Sequence, residues 1–332
     1  MSDGDRTTAP AAPLRILFAG TPGIALFSLD ALLEASGPDW TIAGVLTNPD
    51  APRGRGRRLM PSPVKARALD AGLPVLQPAR LDAAAREQVA ALAPDLLVVV
   101  AYGRIFGPRF LALFPKGGVN VHPSLLPRHR GPSPLQAAIL AGDTETGVTI
   151  QYLAEEMDAG DIILQESVAL SQTTTVAELH DDLGAHGARL LVQAVRSIAR
   201  GTVDSHRQDH RLATYCTKLD REAGALSWTE PAEEIDRRVR ALTPWPGVRC
   251  RWGETTLQLT ATQLPPADTP APDADAAPGT VVAVDSALGI LVQTTDGLLA
   301  VHRLKQQARK ELDFRDFVNG NPEIIGTVLQ QA

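Results

Sequence analysis

The amino-terminal half of the chain alternates short apolar runs with amphipathic segments. Residues 14–19 and 41–46 have the composition of buried strands, and residues 24–35 between them repeat apolar side chains at helical spacing. Residues 96–101 are apolar throughout, which is typical of a strand buried on both faces of a parallel sheet. This order of strands and helices predicts an α/β domain with a mostly parallel sheet.

The next strand of this series breaks the apolar pattern. Residues 119–122 alternate apolar and polar, and because strand side chains repeat every two residues, Asn120 and His122 project from the same face. Pro123 ends the strand, since it has no N–H for the ladder. Open α/β sheets bind ligands at the carboxyl ends of their strands, so this pair predicts a functional site.

The remaining pattern divides the chain in two. Further strands are predicted at 147–153 and 162–170, and a long helix at 176–199 completes the first domain. Later short strands at 248–252, 256–260, 280–284, 289–293 and 298–304 predict a small barrel or sandwich. The predicted segments are a disordered tail at 1–13, a first domain at 14–200, a polar linker at 201–218 and a second domain at 219–332.

Composition narrows the class of protein. The chain has 332 residues, of which 44% are hydrophobic and 21% charged, as in soluble globular proteins. The first residues carry acidic side chains and no apolar run, and no later run approaches the ~18 residues of a membrane span. We therefore expect a cytoplasmic protein with no membrane contact. The two cysteines are too few for a disulfide framework and lack metal-ligand spacing.

Charge adds one local feature. The net charge of −6 argues against a protein that coats nucleic acid indiscriminately, because such binding needs many phosphate contacts. Residues 51–67 nevertheless contain six basic residues and no acidic one. A solvated loop is the usual meaning of such a run. Its position after the second strand, however, places it at the same sheet edge as Asn120 and His122, where arginines could hold phosphates.

Asn120 and His122 suit a particular chemistry. An amide N–H can stabilise a developing oxyanion, and an imidazole, with an ordinary pKa of about 6.5, can transfer a proton near neutrality. Asp158, in an acidic loop, could orient the imidazole if that loop folds back. This set suits attack of an amine on a carbonyl or formyl group and requires no metal. His122 could instead be a buried structural histidine, and we expect His206 and His210 to be solvated in the linker.

The motifs together resemble a known family. Residues 120–127 (NVHPSLLP) and 158–161 (DAGD) resemble the formyltransferases that use 10-formyltetrahydrofolate. The loop at 47–65 is similar to the segment typical of the branch of that family that acts on methionyl-tRNA. FAGTP at 18–22, VVVAYG at 98–103, AGDTETGVT at 141–149 and PWP at 244–246 also agree, so the resemblance covers about residues 14–330.

The resemblance implies a fold and a set of roles. It implies a Rossmann-type formyltransferase domain followed by an oligonucleotide-binding-like β-barrel that contacts tRNA. The expected reaction moves the formyl group of 10-formyltetrahydrofolate to initiator methionyl-tRNA for translation initiation, without a metal and in a monomer. The implied catalytic residues are Asn120, His122 and Asp158. The implied folate-site residues are Ser124, Leu125, Leu126 and Pro127, and the expected tRNA-binding residues are Arg53, Arg55, Arg57 and Arg58, with Arg237, Arg238, Arg240, Arg249 and Arg251 in the barrel.

Two alternatives remain open at this point. A formyltransferase acting on a small amine, or a hydrolase releasing formate, would need neither the basic loop nor the barrel. A catalytically silent tRNA-binding module would not need Asn120, His122 and Asp158 together. An assay of formyl transfer to charged initiator and elongator tRNA separates these possibilities.

Overall fold

The structure of the protein, a computed structural model, describes residues 12–53, 56, 58–266, 268–269 and 275–332. The predicted tail at 1–13 lies outside these residues except for Ala12 and Pro13. The chain forms two compact units, and the predicted boundaries at 200 and 219 stay a prediction. The first unit contains the described residues up to Arg130, Gly147–Ser167 and Asp181–Thr214, and the second contains Gly131–Thr146, Val168–His180 and Tyr215–Ala332.

Strands and helices alternate through the amino-terminal half, and strands dominate the carboxyl-terminal part. The strands are β1 (Leu14–Gly20), β2 (Trp40–Leu46), β3 (Ala51–Arg53), β4 (Arg58–Met60), β5 (Val75–Leu76), β6 (Leu96–Val100), β7 (Gly118–His122), β8 (Glu145–Tyr152), β9 (Ile162–Ala169), β10 (Val248–Trp252), β11 (Thr255–Gln263), β12 (Val281–Asp285), β13 (Gly289–Gln293), β14 (Leu298–Gln306), β15 (Glu311–Asp313) and β16 (Gln330–Gln331). The helices are α1 (Ile24–Glu34), α2 (Pro63–Asp70), α3 (Ala83–Ala91), α4 (Pro108–Leu111), α5 (Pro134–Leu140), α6 (Val176–Ala199), α7 (Ala232–Leu242) and α8 (Phe314–Gly320).

The first sheet has seven strands in the order β5-β2-β1-β6-β7-β8-β9. Strands β5, β2, β1, β6 and β7 run parallel, and β8 pairs with β7 in the antiparallel direction. Every residue of β6 is buried, as expected of an apolar strand inside a parallel sheet. The prediction of an α/β fold with a mostly parallel sheet is confirmed.

Helix α2 begins at an ordinary capping signal. The Ser62 hydroxyl accepts a hydrogen bond from the Lys65 N–H at 3.0 Å and caps α2, and Pro63 follows as its first helical residue. In α6 the apolar positions repeat at helical spacing and are buried, which explains why a 24-residue helix forms there. No helix among the described residues is long and apolar enough to cross a membrane.

The second unit is built on an antiparallel sheet in the order β12-β13-β14-β11-β10-β16, with β15 paired to β14. Residues 326–329, which lead into β16, also pair with the start of β12. The Leu329 N–H donates to the Gly279 carbonyl at 2.8 Å, and the Val281 N–H donates to the Thr327 carbonyl at 2.9 Å. These bonds close the sheet into a barrel, and α7 packs its buried face on β11 and β14.

Candidate active site

Strand β7 supplies two polar residues to the first sheet. Val119 and Val121 are buried on one face, and Asn120 and His122 point from the other. Asn120 stands beside Val99 of β6, in the parallel register. His122 is only 4% exposed, so its ring is held in a protein environment where water contributes little.

Asp158 reaches this pair from the connection between β8 and β9. One carboxylate oxygen, Oδ1, accepts a hydrogen bond from Asn120 Nδ2 at 3.4 Å, and Oδ2 lies 3.6 Å from His122 Nδ1. The acidic loop therefore folds back, and the structure brings the three predicted residues together. Both distances exceed those of tight charge-assisted hydrogen bonds.

The other ring nitrogen of His122 is also fixed. Nε2 lies 2.9 Å from the carbonyl oxygen of His129, which can only accept a hydrogen bond, so Nε2 carries a proton. Nδ1 faces the Asp158 carboxylate. Both ring nitrogens of His122 therefore face protein oxygen atoms, which fixes the orientation of the ring.

Strand β8 places further polar residues next to this trio. In the antiparallel register Gln151 stands opposite Asn120, and Thr149 stands opposite His122. Gln151 Nε2 donates to Asp158 Oδ1 at 3.2 Å. Neither residue is among the predicted site residues, although their alternation with Val148 and Ile150 repeats the pattern of β7.

The predicted folate-site residues form the loop directly after β7. Ser124 and Leu126 are buried, and the Ser124 hydroxyl donates to the Arg128 carbonyl at 2.6 Å. Thr149 Oγ1 holds the loop by donating to the Ser124 carbonyl at 2.7 Å and accepting from the Leu126 N–H at 3.2 Å. Leu125 and Pro127 are half-buried, so these two side chains are the more accessible part of the loop.

The basic loop contains a small hairpin that was not predicted. β3 pairs with β4 in the antiparallel direction, with Arg53 opposite Arg58, and Arg58 is exposed. Arg55 and Arg57 lie outside the described residues, as does the side chain of Arg53.

A group of hydrogen bonds lies at the base of this hairpin. Lys65 Nζ lies 2.9 Å and 2.8 Å from the two carboxylate oxygens of Asp50, and Gln77 Nε2 donates to Asp50 Oδ1 at 2.9 Å. The Thr47 and Ser62 hydroxyls are 2.8 Å apart. Hydrogen bonds from Gln77 and Lys65 lower the pKa of Asp50, so the carboxylate stays ionised well below neutral pH. We call Asp50, Lys65 and Gln77 the hairpin neck.

The arginines expected to bind tRNA in the barrel differ in their partners. Arg237, Arg238 and Arg240 form ion pairs with glutamate or aspartate side chains on or beside α7. Arg249 donates to the Arg221 carbonyl, and Arg251 is 3.3 Å from Glu254. Arg249 and Arg251 also line a cavity of about 550 Å³ together with Arg221 and Lys305.

Comparison with known proteins identifies the family. The family described as "Formyl transferase" matches residues 14–195, and "Formyl transferase, C-terminal domain" matches residues 218–322. The chain is 45% identical over 321 residues to "Methionyl-tRNA formyltransferase" of Treponema pallidum, covering 94% of this chain and 98% of the relative. The chain belongs to the methionyl-tRNA formyltransferase family.

Other members and structures agree with this assignment. The protein of the same name from Halorhodospira halophila is 45% identical over 316 residues, covering 95% of this chain and 99% of the relative. The crystal structure of WlaRD, a sugar 3N-formyl transferase, matches with a TM-score of 0.63 over 90% of this chain and 100% of WlaRD, at 16% identity, and so supports the formyltransferase fold. Across the described residues, no group of three or more His, Cys, Asp or Glu side chains could hold a metal ion.

Proposed function

We propose that this protein transfers the formyl group of 10-formyltetrahydrofolate to the α-amine of methionine carried by initiator tRNA. The products are N-formylmethionyl-tRNA and tetrahydrofolate. The observation that carries the proposal is the convergence of Asn120, His122 and Asp158 at the end of β7 in a chain of this family. Both substrates come together in one site, and binding them in attack geometry contributes much of the rate.

The amine of methionyl-tRNA is suited to this attack. Its methionine is esterified to the tRNA, and an ester carbonyl next to the amine lowers its basicity. Part of the amine is therefore unprotonated near neutral pH and can attack the formyl carbon, which forms the new C–N bond. The bond between the formyl carbon and N10 then breaks, and N10 takes a proton.

Asn120 supplies a hydrogen-bond donor for the negative charge that develops on the formyl oxygen. One N–H of its amide engages Asp158 at 3.4 Å, and within the described residues the second N–H has no protein partner. A preorganised donor of this kind in a largely buried site stabilises an oxyanion more than water does.

In this proposal His122 and Asp158 stabilise the developing charge and assist the transfer of a proton from the amine to N10. In this proposal the ring of His122 is protonated when the oxyanion forms, and its positive charge stabilises the oxyanion while both ring nitrogens keep their oxygen partners. Asp158 also accepts hydrogen bonds from Asn120 and Gln151, which fixes its position. In this proposal it orders water that carries a proton from the attacking amine toward N10.

Recognition of the two substrates falls to other residues. Ser124, Leu125, Leu126 and Pro127 form the loop that lines the folate site in this proposal, with Leu125 and Pro127 providing its accessible side chains. Arg53, Arg55, Arg57 and Arg58 of the basic segment at 51–67 contact tRNA phosphates in this proposal, and the barrel adds contacts of its own.

We further propose that the enzyme works as a monomer in the cytoplasm. The catalytic trio comes from a single chain, so the chemistry needs no residue from a second copy. Sedimentation at enzyme concentrations used for assays tests the oligomeric state.

The test of the function is a transfer assay with three acceptors. We expect formylation of methionine on initiator tRNA, much slower formylation on elongator tRNA and no measurable formylation of a small free amine. Equal use of the small amine would support the small-acceptor alternative. Tight tRNA binding without transfer would support a catalytically silent binding module.

A further inference from the structure

The segment predicted as a polar linker contributes to the site itself. Residues 205–214 pass beside the loop that carries Asp158, and the backbones of His206 and Ile162 exchange two hydrogen bonds at 2.8 Å and 2.9 Å. We call residues 205–214 the strap. The strap, Arg130, His129 and the loop that carries Asp158 all belong to the first unit.

The side chain of Gln208, in the strap, hydrogen-bonds the backbone of the loop that carries Asp158. This side chain is buried, and Nε2 lies 2.9 Å from the Asp158 carbonyl and 2.7 Å from the Gly160 carbonyl. Nε2 is also 3.2 Å from Gln151 Oε1. Asp158 has a φ of +54°, in the left-handed region that a residue with a side chain adopts only when its surroundings impose it. Gln208 is one of the groups that impose this conformation.

Arg130 fixes the orientation of the side-chain amide of Gln208. This arginine is only 1% exposed, and its Nε and Nη2 lie 3.1 Å and 2.7 Å from Gln208 Oε1. A guanidinium can only donate, so it requires the amide oxygen on its side. The amide NH₂ is thereby directed at the Asp158 loop.

The far end of the strap reaches His122 through one intermediate residue. Thr214 Oγ1 accepts a hydrogen bond from the His129 N–H at 2.8 Å, and the Thr214 carbonyl accepts from the Arg130 N–H at 2.9 Å. His129 has a φ of +55°, and its carbonyl is the partner of His122 Nε2. The strap therefore fixes the supports of both Asp158 and His122.

We infer that Gln208, oriented by Arg130, and Thr214 are positioning residues that hold Asp158 and His122 in the geometry needed for formyl transfer. The inference rests on the proposed function and names residues that the sequence motifs do not single out. Gln208 donates to the Asp158 and Gly160 carbonyls, and Thr214 accepts from the His129 N–H, so both residues bind the supports of the trio. Because a displacement of about 1 Å at a reacting group can cost about 10² in rate, loosening either support should lower turnover.

Gln208→Glu tests the support of the Asp158 loop, because the substitution changes the side-chain amide to a carboxylate with little change in shape. The variant keeps an oxygen for Arg130 but turns the donor that faces three oxygen atoms into a carboxylate oxygen. We expect kcat to fall about 10-fold to 100-fold, with the KM of both substrates within about two-fold. Gln193→Glu makes the same charge change at an exposed position of α6 and should leave kcat unchanged.

Thr214→Val and Thr214→Ser test the support of His122, which is the hydrogen bond from the His129 N–H to the Thr214 hydroxyl. Valine removes the oxygen that accepts from His129, and serine keeps it, so kcat should fall in the first variant and stay near the wild-type value in the second. NMR resonances of the His122 ring should shift in Gln208→Glu and Thr214→Val and not in Thr214→Ser.

The ring resonances separate this inference from the proposed function. A wild-type protein without transfer activity would refute the function, while the resonances would still report whether the strap positions His122. Wild-type kcat in Gln208→Glu, unchanged ring resonances, or equal loss in Thr214→Val and Thr214→Ser would overturn the inference.

Discussion

At the end of β7 the polar side chains are buried or half-buried and contact one another, whereas the described side chains of the hairpin of β3 and β4 are exposed. Asn120, His122 and Asp158 share partners within 3.6 Å. In the hairpin, Arg58 and Leu59 face solvent, and Leu59 is 71% exposed.

The difference separates two tasks. Proton transfer and oxyanion stabilisation need groups held in one geometry, because their contribution falls steeply with misplacement. Contact with a phosphate backbone needs accessible charge, and long arginine side chains can adjust to it. Changes at the end of β7 should therefore lower kcat, and changes in the hairpin should raise the KM for tRNA.

The largest effect is expected for His122→Ala. On the proposed function, turnover should fall by about 10² or more because a general acid–base group is lost. Steady-state assays at saturating concentrations of both substrates measure the change, and His180→Ala on α6 is the matched control. Near-normal turnover of a folded His122→Ala protein would contradict the catalytic role of the β7 end.

Arg55→Ala should act on tRNA alone. Loss of one charge-assisted contact, worth about 1.5 to 3 kcal/mol, should lower kcat/KM for methionyl-tRNA about 10-fold to 100-fold and leave the KM for folate unchanged. The slope of log KM against log salt should also become shallower by about 1. Arg109→Ala removes an exposed arginine from α4 as a control. Equal losses for both substrates would point to misfolding.

Asp50→Asn tests whether the hairpin neck sets the orientation of the hairpin formed by β3 and β4. The variant keeps the shape but removes the carboxylate that Lys65 and Gln77 bind, so the KM for tRNA should rise several-fold at unchanged kcat. Asp70→Asn, at the exposed end of α2, should change neither. An unchanged KM for tRNA would mean that the neck does not position the hairpin.

The neck also has a predictable pH dependence. Asp50 has a lowered pKa in the folded protein, so the stability that its contacts contribute is present above the ordinary carboxyl pKa of about 3.9. That contribution is lost only as the pH falls through the lowered pKa. The KM for tRNA should therefore show no change from this pair between about pH 5 and pH 8.

Leu59→Ser should produce the smallest effect. Because the side chain is 71% exposed, the free energy of unfolding in urea should change by less than about 0.5 kcal/mol. A loss well above this value would show that the hairpin packs against the rest of the protein in solution, which would weaken the comparison with β7.

Most regular elements could be predicted because their patterns are long or strongly apolar. Strand β6 and helix α6 are examples, and α6 begins and ends at the predicted residues. The hairpin was missed because its strands have three residues each and arginines hide any alternation. Helix α4, with four residues, is likewise too short for a periodic signal.

The residues of the candidate site also differ in how well a local sequence pattern predicts them. Asn120 and His122 were predicted from two residues of spacing on one strand, which is a local property. Asp158 lies 38 residues from Asn120, so the sequence could suggest its role only on the condition that the connection after β8 folds back, and the family resemblance supported that role. Gln208 stands in a polar run that is typical of a solvated linker, and its burial depends on tertiary contacts that no local pattern records.

The closure of the barrel has a consequence for synthesis on the ribosome. The residues that complete the ring come late in the sequence: Gln330 pairs with Arg251, 79 residues earlier, and Thr327 pairs with Val281, 46 residues earlier. Translation delivers residues one after another, so both sheet edges stay unpaired until this segment has emerged. The first sheet is complete much earlier, and we expect it to fold on the nascent chain while the barrel still waits for its last strand.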